Sequence, residues 1–242
     1  MFTIMIGPPG AGKSSVVAGW KQAFPELRVF SSDEYRSRLL GDERDQTQNA
    51  LIFSTLYRDL NDALKEGCSC VLDATNMSLK DRDRVFQQLP ALREYNDPVV
   101  ACVVATPYEE CVRRDAARDR TVGEAVIRKM IGRFQFPDMR LEDFDAIEVI
   151  EGDSLGAQRR VQWMAKMVGF DQQNHHHKHT LLEHSVLVAG LGSTEAEQHA
   201  GFWHDVGKLV TQTFDENGEA HYYNHAGFSA WMLASSGAFT YA

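Results

Sequence analysis

The chain has 242 residues, of which 25 are Lys or Arg and 34 are Asp or Glu, so its formal net charge is −9. This acidic balance argues against a protein that coats nucleic acid non-specifically, although a local basic patch could still grip one nucleic-acid end. No apolar run approaches the length of a membrane span, so we expect a cytoplasmic protein without a membrane partner. The length suits one large domain or two modest ones.

The first feature along the chain is a glycine-rich segment, GPPGAGKS at residues 7–14, directly after the apolar run 2–6. This is the phosphate-loop pattern G-x-x-x-x-G-K-S in its proper context of strand, turn and helix. Glycines let backbone N–H groups form an anion nest, and the helix that follows offers its unpaired N–H groups to phosphates. Lys13 is expected on the β- and γ-phosphate oxygens and the Ser14 hydroxyl on Mg²⁺. The predicted site for ATP, or another nucleoside triphosphate, with Mg²⁺ consists of Gly10, Ala11, Gly12, Lys13, Ser14 and Ser15.

Strand and helix patterns alternate through the following residues, up to about residue 170. Apolar runs predict further strands at 27–30, 68–72, 99–105 and 146–150. Predicted helices lie between them, several opened by a Ser or Thr with an acidic residue three positions later. These helices are 31–41, 46–66, 155–168 and three that begin at Ser78, Thr106 and Thr121. Repeated β-α units predict an α/β fold, with a parallel sheet covered by helices on both faces.

Charged and polar side chains follow two of these strands, at the sheet edge where α/β proteins bind ligands. Asp33 lies in the first helical turn after the second strand, and Arg36 follows three residues later on the same helix face. Asp73 ends the third strand, and Asn76 comes directly after it. The residues alone leave plainer explanations open, namely a carboxylate that complements a helix dipole and an Asx turn.

A run of arginines follows the fourth predicted strand, in the sequence RRDAARDR at residues 113–120. Arg114 and Arg118 are four residues apart, so both can lean toward one anion. A solvated basic face is the ordinary explanation for such a run.

These segments together resemble the phage-type 5′-polynucleotide kinases. The resemblance covers roughly residues 1–150 and rests on GPPGAGKS, on SSDEYR after the second strand, on DATN after the third and on RRDAARDR. It implies in-line transfer of the γ-phosphoryl group, with Lys13, Asp33 and Arg118 as the catalytic residues. It also implies a protein of a bacterial or phage-infected cell. Residue by residue, it implies Asp33 as general base, Arg36, Asp73 and Asn76 on the acceptor side, and Arg114 and Arg118 as lid arginines on ATP.

The histidines mark a change in the chain. All nine lie between His175 and His225, and only helices are predicted beyond the polar connector 171–174. Capping boxes at Thr180 and Thr194 open two of these helices, and the second is predicted to end at Gly207. Clustered His and Asp side chains suit a divalent transition metal that activates water for phosphate-ester hydrolysis. Scattered core or surface histidines are the alternative.

The strings HDVGK at 204–208 and HYYNH at 221–225 resemble the HD phosphohydrolase superfamily. The resemblance implies metal ligands at His184, His204 and Asp205, with His221 and His225 as further ligands or phosphate contacts. The superfamily pattern closes with another aspartate, yet no Asp follows Asp215 here. We therefore expect residues 1–170 to form a polynucleotide kinase-like domain and residues 171–242 a smaller, all-helical HD-like domain that is incomplete.

The leading hypothesis is an end-healing enzyme that phosphorylates 5′-OH ends of nucleic acid. Its HD module would remove 2′,3′-cyclic or 3′ phosphates, and a ligase would act on the product. Two alternatives stay open: a kinase for a small hydroxylated metabolite or nucleoside, and a nucleotide-sensing regulatory protein without transferase activity.

Overall fold

A five-stranded parallel sheet forms the centre of the first half of the chain. Its strands are β1 (Phe2–Ile6), β2 (Arg28–Ser31), β3 (Cys70–Asp73), β4 (Val99–Ala105) and β5 (Ala146–Glu151). The computed structural model describes residues 1–152, 154–174 and 178–238, and it gives the strand order β2-β3-β1-β4-β5. The three central strands are buried along nearly their whole length, as their continuous apolar sequences predict. The predicted α/β fold is confirmed.

Two of the helices in this half of the chain begin at a serine side chain that caps them. Ser31 accepts a hydrogen bond from the backbone N–H of Glu34, and the same helix ends at Gly41, whose φ is 76°. Ser78 and Asp81 form a complete capping box. The helices are α1 (Lys13–Ala23), α2 (Ser32–Leu40), α3 (Asn49–Lys65), α4 (Leu79–Gln88) and the short α5 (Ala91–Tyr95), which the sequence patterns did not predict.

The chain packs into two compact units that are not continuous in sequence. The first unit contains residues 1–104 and 136–150, and the second contains residues 105–135 with the chain from 151 onward. The division into domains at residue 170 stays a prediction, because the units describe packing. The second unit contains both the arginine-rich segment 113–120 and the histidine-rich part of the chain.

The second unit is mainly helical. Its helices are α6 (Tyr108–Ala116), α7 (Glu124–Ile131), α8 (Gly156–Met167), α9 (Leu181–Ala189), α10 (Glu195–Trp203), α11 (Lys208–Thr211) and α12 (His225–Ala234). An antiparallel pair of two-residue strands, β6 (Thr213–Phe214) and β7 (Ala220–His221), joins α11 to α12. The prediction of an all-helical region is therefore wrong here, because Asp215 accepts backbone N–H groups of the turn and Gly218 reverses the chain with φ 78°.

Three predicted helix boundaries also differ from those observed. Pro107 is extended and precedes α6, so Thr106 does not cap that helix. Asp115, rather than Thr121, accepts the N–H groups of the loop that leads into α7. The helix predicted to end at Gly207 ends at Trp203 instead, with a turn before α11.

Helix α12 packs against α6 and α7 through aromatic rings. Trp231 is buried, donates its Nε1–H to the carbonyl oxygen of Thr106 at 2.9 Å, and meets Phe134 edge to face with ring centroids 5.0 Å apart. Phe228 meets Tyr108 in the same way at 5.7 Å. These contacts make the two chain segments of the second unit one packed body.

None of the helices in the described ranges combines the length and hydropathy that a bilayer crossing requires. The first three histidines of the cluster, residues 175–177, lie outside the described residues.

Candidate active site and histidine cluster

The phosphate loop lies between the carboxyl end of β1 and the start of α1. Gly10 and Gly12 adopt φ values of 79° and 102°, which side chains other than glycine rarely allow. Lys13 is buried, and its Nζ donates to the carbonyl oxygens of Gly7 at 2.8 Å and Pro8 at 3.2 Å. The ammonium group is therefore held inside the loop, next to the first N–H groups of α1, where phosphates bind.

Ser14 and Asp73 meet beside this loop. The Ser14 hydroxyl donates to Oδ2 of Asp73 at 3.0 Å, although 59 residues separate them in the chain. Both offer hard oxygen atoms, and a loop hydroxyl with a strand-end aspartate is the pair that holds Mg²⁺ in phosphate-loop enzymes. The residues present fit that ion. The Asp73 carboxylate thus lies against the phosphate loop, and the acceptor-side role that the sequence resemblance implied for it stays a prediction.

Asp33 and Arg36 form an ion pair on the first turns of α2. Arg36 Nη1 donates to Asp33 Oδ1 at 2.7 Å, and Nη2 donates to Oδ1 of Asn49 at 3.0 Å. The Arg36 side chain is only 7% exposed, whereas that of Asp33 is 53% exposed. A buried guanidinium thus orients a carboxylate that solvent can reach, which the i, i+3 spacing predicted in part. Asn49, at the start of α3, had no predicted role.

The turn after β3 is fixed by Asn76. Its φ is 46°, its side chain is buried, and Nδ2 donates to the carbonyl oxygen of Met5 at 2.9 Å. The adjacent Thr75 carbonyl accepts the N–H of Gly7 at 3.0 Å. The Asn76 amide is therefore bonded to the strand that leads into the phosphate loop, and an acceptor-binding role for it remains a prediction.

The predicted lid arginines lie in the second unit. Arg114 Nε donates to Oε1 of Glu110 at 2.6 Å, and Arg113 forms two bonds with the same carboxylate at 2.7 Å. Hydrogen bonds from Arg113 and then Arg114 lower the pKa of Glu110 to about 2. Arg118 is exposed just beyond the end of α6. Their action on ATP remains a prediction.

Three of the predicted metal ligands converge in the second unit. Nε2 of His184 and Nε2 of His204 lie 3.4 and 3.2 Å from Oδ2 of Asp205, and 3.2 Å from each other. The three ligand atoms all lie within 4.8 Å of one another. Helix α9 supplies His184, and the end of α10 supplies the other two residues. Two imidazoles and a carboxylate are a donor set that suits a first-row transition ion.

His225 approaches the other oxygen of the same carboxylate. Its Nε2 lies 3.2 Å from Oδ1 of Asp205, and its Nδ1 lies 2.7 Å from the Tyr222 carbonyl oxygen. His204 uses its Nδ1 in the same way on the Gly201 carbonyl at 2.7 Å. A backbone carbonyl that accepts from Nδ1–H leaves Nε2 with its lone pair directed at the carboxylate, the usual arrangement of metal-binding histidines. Each short contact between an Nε2 atom and the Asp205 carboxylate therefore requires a proton or a metal ion between the two atoms.

The electrostatics of the cluster agree with that requirement. Burial disfavours the charged form of Asp205, but hydrogen bonds from His204, His225 and Lys208 outweigh it and hold its pKa well below the usual range. The hydrogen bond with Asp205 raises the pKa of His204 and of His225. Burial lowers the pKa of His184.

Lys208 and Gln172 belong to the cluster, although sequence reasoning did not include them. The buried Lys208 ammonium donates to Asp205 Oδ2 at 2.7 Å and to Gln172 Oε1 at 2.8 Å. The i, i+3 spacing of Asp205 and Lys208 in HDVGK was a signal that could have found the lysine.

His221, also predicted as a ligand, has another partner. Its Nε2 lies 3.5 Å from Asp215 Oδ2, and its ring stacks on Tyr223 with centroids 5.4 Å apart. The group of potential metal ligands found in the described part of the chain consists of His184, His204 and Asp205. His221 therefore lies in the β6–β7 hairpin beside Asp215, and its role as a further ligand or phosphate contact stays a prediction.

Comparison with known proteins gives one family match and a set of distant structural likenesses. A chain in the Pnkp1/Rnl/Hen1 RNA repair complex is 22% identical, with a TM-score of 0.48 over 56% of this chain and 44% of that chain. A fungal RNA kinase is 16% identical, with a TM-score of 0.44 over 83% of this chain and 94% of that chain. A sugar kinase from Janibacter is 14% identical, with a TM-score of 0.45 over 68% of this chain and 94% of that chain. The chain spans less than half the length of the RNA repair chains that it matches, 44% and 38%. No curated protein matches the chain significantly.

The family match covers more than half of the chain. The model of the AAA domain matches residues 2–137, which include the phosphate loop, Asp33, Asp73 and the arginine-rich segment. Together with the parallel sheet, the buried loop lysine and the Ser14–Asp73 pair, this match shows that the chain belongs to the AAA domain family and contains a kinase-like P-loop domain.

Proposed function

We propose that the protein transfers the γ-phosphoryl group of ATP to the 5′-OH end of a nucleic acid. The observation that carries the proposal is Asp33, a solvent-accessible carboxylate held at 2.7 Å by the buried Arg36. Ser31, two residues before it, pairs in register with Asp73 on the neighbouring parallel strand. Since adjacent strands lie about 5 Å apart, this register sets the start of α2 beside the end of β3, which supports a base at Asp33. A sensor that only binds nucleotide has no need for such a base.

Each site residue of the first unit has its own role in this proposed reaction. The loop N–H groups and Lys13 bind the β- and γ-phosphate oxygens, and Ser14 and Asp73 would hold Mg²⁺. Mg²⁺, when bound, neutralises charge on the phosphates. Asp33 orients the acceptor and takes its hydroxyl proton while the 5′ oxygen bonds to the γ-phosphorus and the bond to ADP breaks. Arg36 keeps the Asp33 carboxylate in position.

Arg114 and Arg118 complete the proposal on the strength of the motif resemblance. A guanidinium that stabilises the transferring phosphoryl group accelerates such reactions strongly. We assign this task to Arg118, and nucleotide contact to Arg114.

A transfer assay with labelled ATP tests the proposal. The full chain is incubated with 5′-OH DNA and RNA oligonucleotides and, in parallel, with free nucleosides and sugars. We expect the unsubstituted chain to label the oligonucleotide ends and the Lys13→Ala variant to label none. Label on a nucleoside or sugar alone would favour the small-molecule kinase, and ATP binding without transfer to any acceptor would favour the sensor.

The histidine cluster favours a second activity, hydrolysis of 2′,3′-cyclic or 3′ phosphates. Its support is the convergence of His184, His204 and Asp205 within 4.8 Å, with His225 on the opposite carboxylate oxygen. A bound divalent ion would activate water for attack on phosphorus. Ends treated by both activities would be substrates for a ligase. Oligonucleotides with cyclic or 3′-phosphate ends, incubated with Mn²⁺, Co²⁺, Ni²⁺ or Zn²⁺, test the activity, and persistence of these ends with every metal would exclude it.

A further inference from the structure

A buried ion pair in the first unit has no part in the proposed chemistry. Arg82 on α4 and Glu142 are 0% and 2% exposed, and they bond through Nε–Oε2 at 2.6 Å and Nη2–Oε1 at 2.8 Å. Sixty residues separate them in the chain. Two parallel bonds fix the guanidinium plane as well as its position. Burial of a charge pair is costly, and well-packed apolar residues can often replace one without loss of stability. Stability alone is therefore a poor explanation for this pair.

The remaining arm of Arg82 reaches the turn after β3. Nη1 donates to the carbonyl oxygen of Asn76 at 3.1 Å. Asn76 has the left-handed backbone conformation that non-glycine residues seldom adopt, and its own side chain bonds to Met5. The turn is thus held from one side by Arg82 and from the other by β1.

This turn carries the groups that face the phosphate loop. Thr75 accepts the N–H of Gly7 at 3.0 Å, and Asp73 accepts the Ser14 hydroxyl at 3.0 Å. Hydrogen bonds therefore connect Glu142 to Arg82 and Arg82 to Asn76, and the backbone of the turn connects Asn76 to Asp73, one of the predicted magnesium ligands. A shift of the turn would change the separation of Asp73 from Ser14.

We infer that Arg82 and Glu142 are a positioning pair that sets the Asp73 carboxylate opposite Ser14 for binding of the magnesium–nucleotide complex. The inference rests on the nucleotide-binding part of the proposed function and does not depend on the identity of the acceptor. It predicts that loss of the pair weakens Mg²⁺ binding selectively, while the loop itself still binds nucleotide. Outer partners of metal ligands typically change metal affinity about 10–100-fold.

The test uses the full chain with the double substitution Arg82→Met and Glu142→Leu, which removes both charges together. A fluorescent ATP analogue is titrated without metal and then at increasing Mg²⁺ concentration, and circular dichroism checks the fold. We expect metal-free affinity within about two-fold of the unsubstituted chain and an Mg²⁺ midpoint raised about 10-fold or more. The exposed pair Arg28–Glu66, joined at 2.7 Å, is the matched control, and the same two kinds of substitution, Arg28→Met with Glu66→Leu, should leave the midpoint unchanged.

A folded double variant with an unchanged Mg²⁺ midpoint would overturn the inference. If that variant does not fold, Arg82→Lys decides, because lysine keeps the charge beside Glu142 but lacks the second arm toward Asn76. An unchanged midpoint in this variant, or failure of both variants to fold, would also overturn it, the latter because the pair would then serve stability. Absence of transfer to oligonucleotides would contradict the proposed function alone, since this test measures only binding.

Discussion

Asp33 and Arg36 illustrate how two side chains on one helical turn divide a task. The guanidinium is buried and has three neighbours on α2 and α3 that accept its hydrogens, whereas the carboxylate stays open to solvent. A general base needs an oxygen that the substrate can reach and a partner that fixes its direction. The pair therefore has the properties that a proton acceptor requires.

Replacement of Asp33 by Asn tests this task. We expect the turnover of 5′-OH oligonucleotides to fall by about 10²–10⁴-fold, because the amide cannot take the proton. The affinity for ATP should stay within a few-fold. Asp42→Asn is the control, since Asp42 is an exposed carboxylate just beyond the same helix. Turnover by Asp33→Asn that equals turnover by this control would remove Asp33 as the base.

A second prediction for single residues concerns the histidine cluster. His204→Ala should lose stoichiometric metal, with affinity reduced by more than about 10-fold, because even the outer partners of metal ligands cost that much. His221→Ala should keep the metal, because His221 is paired with Asp215 instead. Elemental analysis after incubation with Zn²⁺, Mn²⁺, Co²⁺ or Ni²⁺ gives the stoichiometries. Equal metal contents in the two variants, or none in the unsubstituted chain, would contradict the metal assignment.

Helix α12 contacts several separate parts of the second unit. Its first residue, His225, bonds to Asp205, and its next turns pack on α6 and α7. Arg128 on α7 also lies over the Phe228 ring at 5.3 Å and donates to the Val210 carbonyl. Close approach of this helix to α7 depends on Gly227, where an added Cβ would overlap the carbonyl group of Gly132.

Two helix-interior glycines should therefore respond to alanine with opposite signs. Gly227→Ala should destabilise the protein by about 1–3 kcal/mol, because the methyl group forces the two backbones apart. Gly19→Ala in α1 should stabilise it by about 0.5–1 kcal/mol, because no atom lies within 4 Å of the added Cβ and alanine favours the helix. Urea denaturation of both variants measures the difference. A stabilising Gly227→Ala would show that the α12–α7 contact is looser than described.

At the scale of the whole chain, the two packing units are not continuous in sequence, and the domain boundary at residue 170 stays a prediction. Residues 105–135 lie within the family match yet pack with the chain from 151 onward. Trp231 and Phe228 cover Thr106, Phe134 and Tyr108. The arginine-rich helix and the histidine cluster therefore share one packed unit.

A fragment of residues 1–170 tests this organisation. Removal of α12 should expose the apolar surface of α6 and α7, so we expect faster amide hydrogen exchange in residues 105–135 and stronger binding of a hydrophobic dye than in the full chain. Exchange in residues 2–6 and 70–73 of the central sheet serves as the internal reference. Unchanged protection of residues 105–135 in the fragment would show that this segment folds without the second half of its unit.

The sequence by itself determined the features that depend on near neighbours in the chain. The phosphate loop, the capped starts of α2, α4, α9 and α10, and the buried strand Val99–Ala105 follow from residues within a few positions of one another. It also supplied the site candidates Asp33, Asp73, His204 and Asp205. It did not predict α5, because a helix of five residues is too short for its hydrophobic period to be told apart from a loop.

Only the tertiary structure decided which of these candidates meet and what they meet. Ser14 lies 59 residues from Asp73 along the chain, and Arg82 lies 60 residues from Glu142. Trp231 lies 125 residues from Thr106. Such contacts depend on strand register and on the docking of one element on another, and no local pattern encodes either. For the same reason the sequence did not show that His221 lies beside Asp215 in a hairpin.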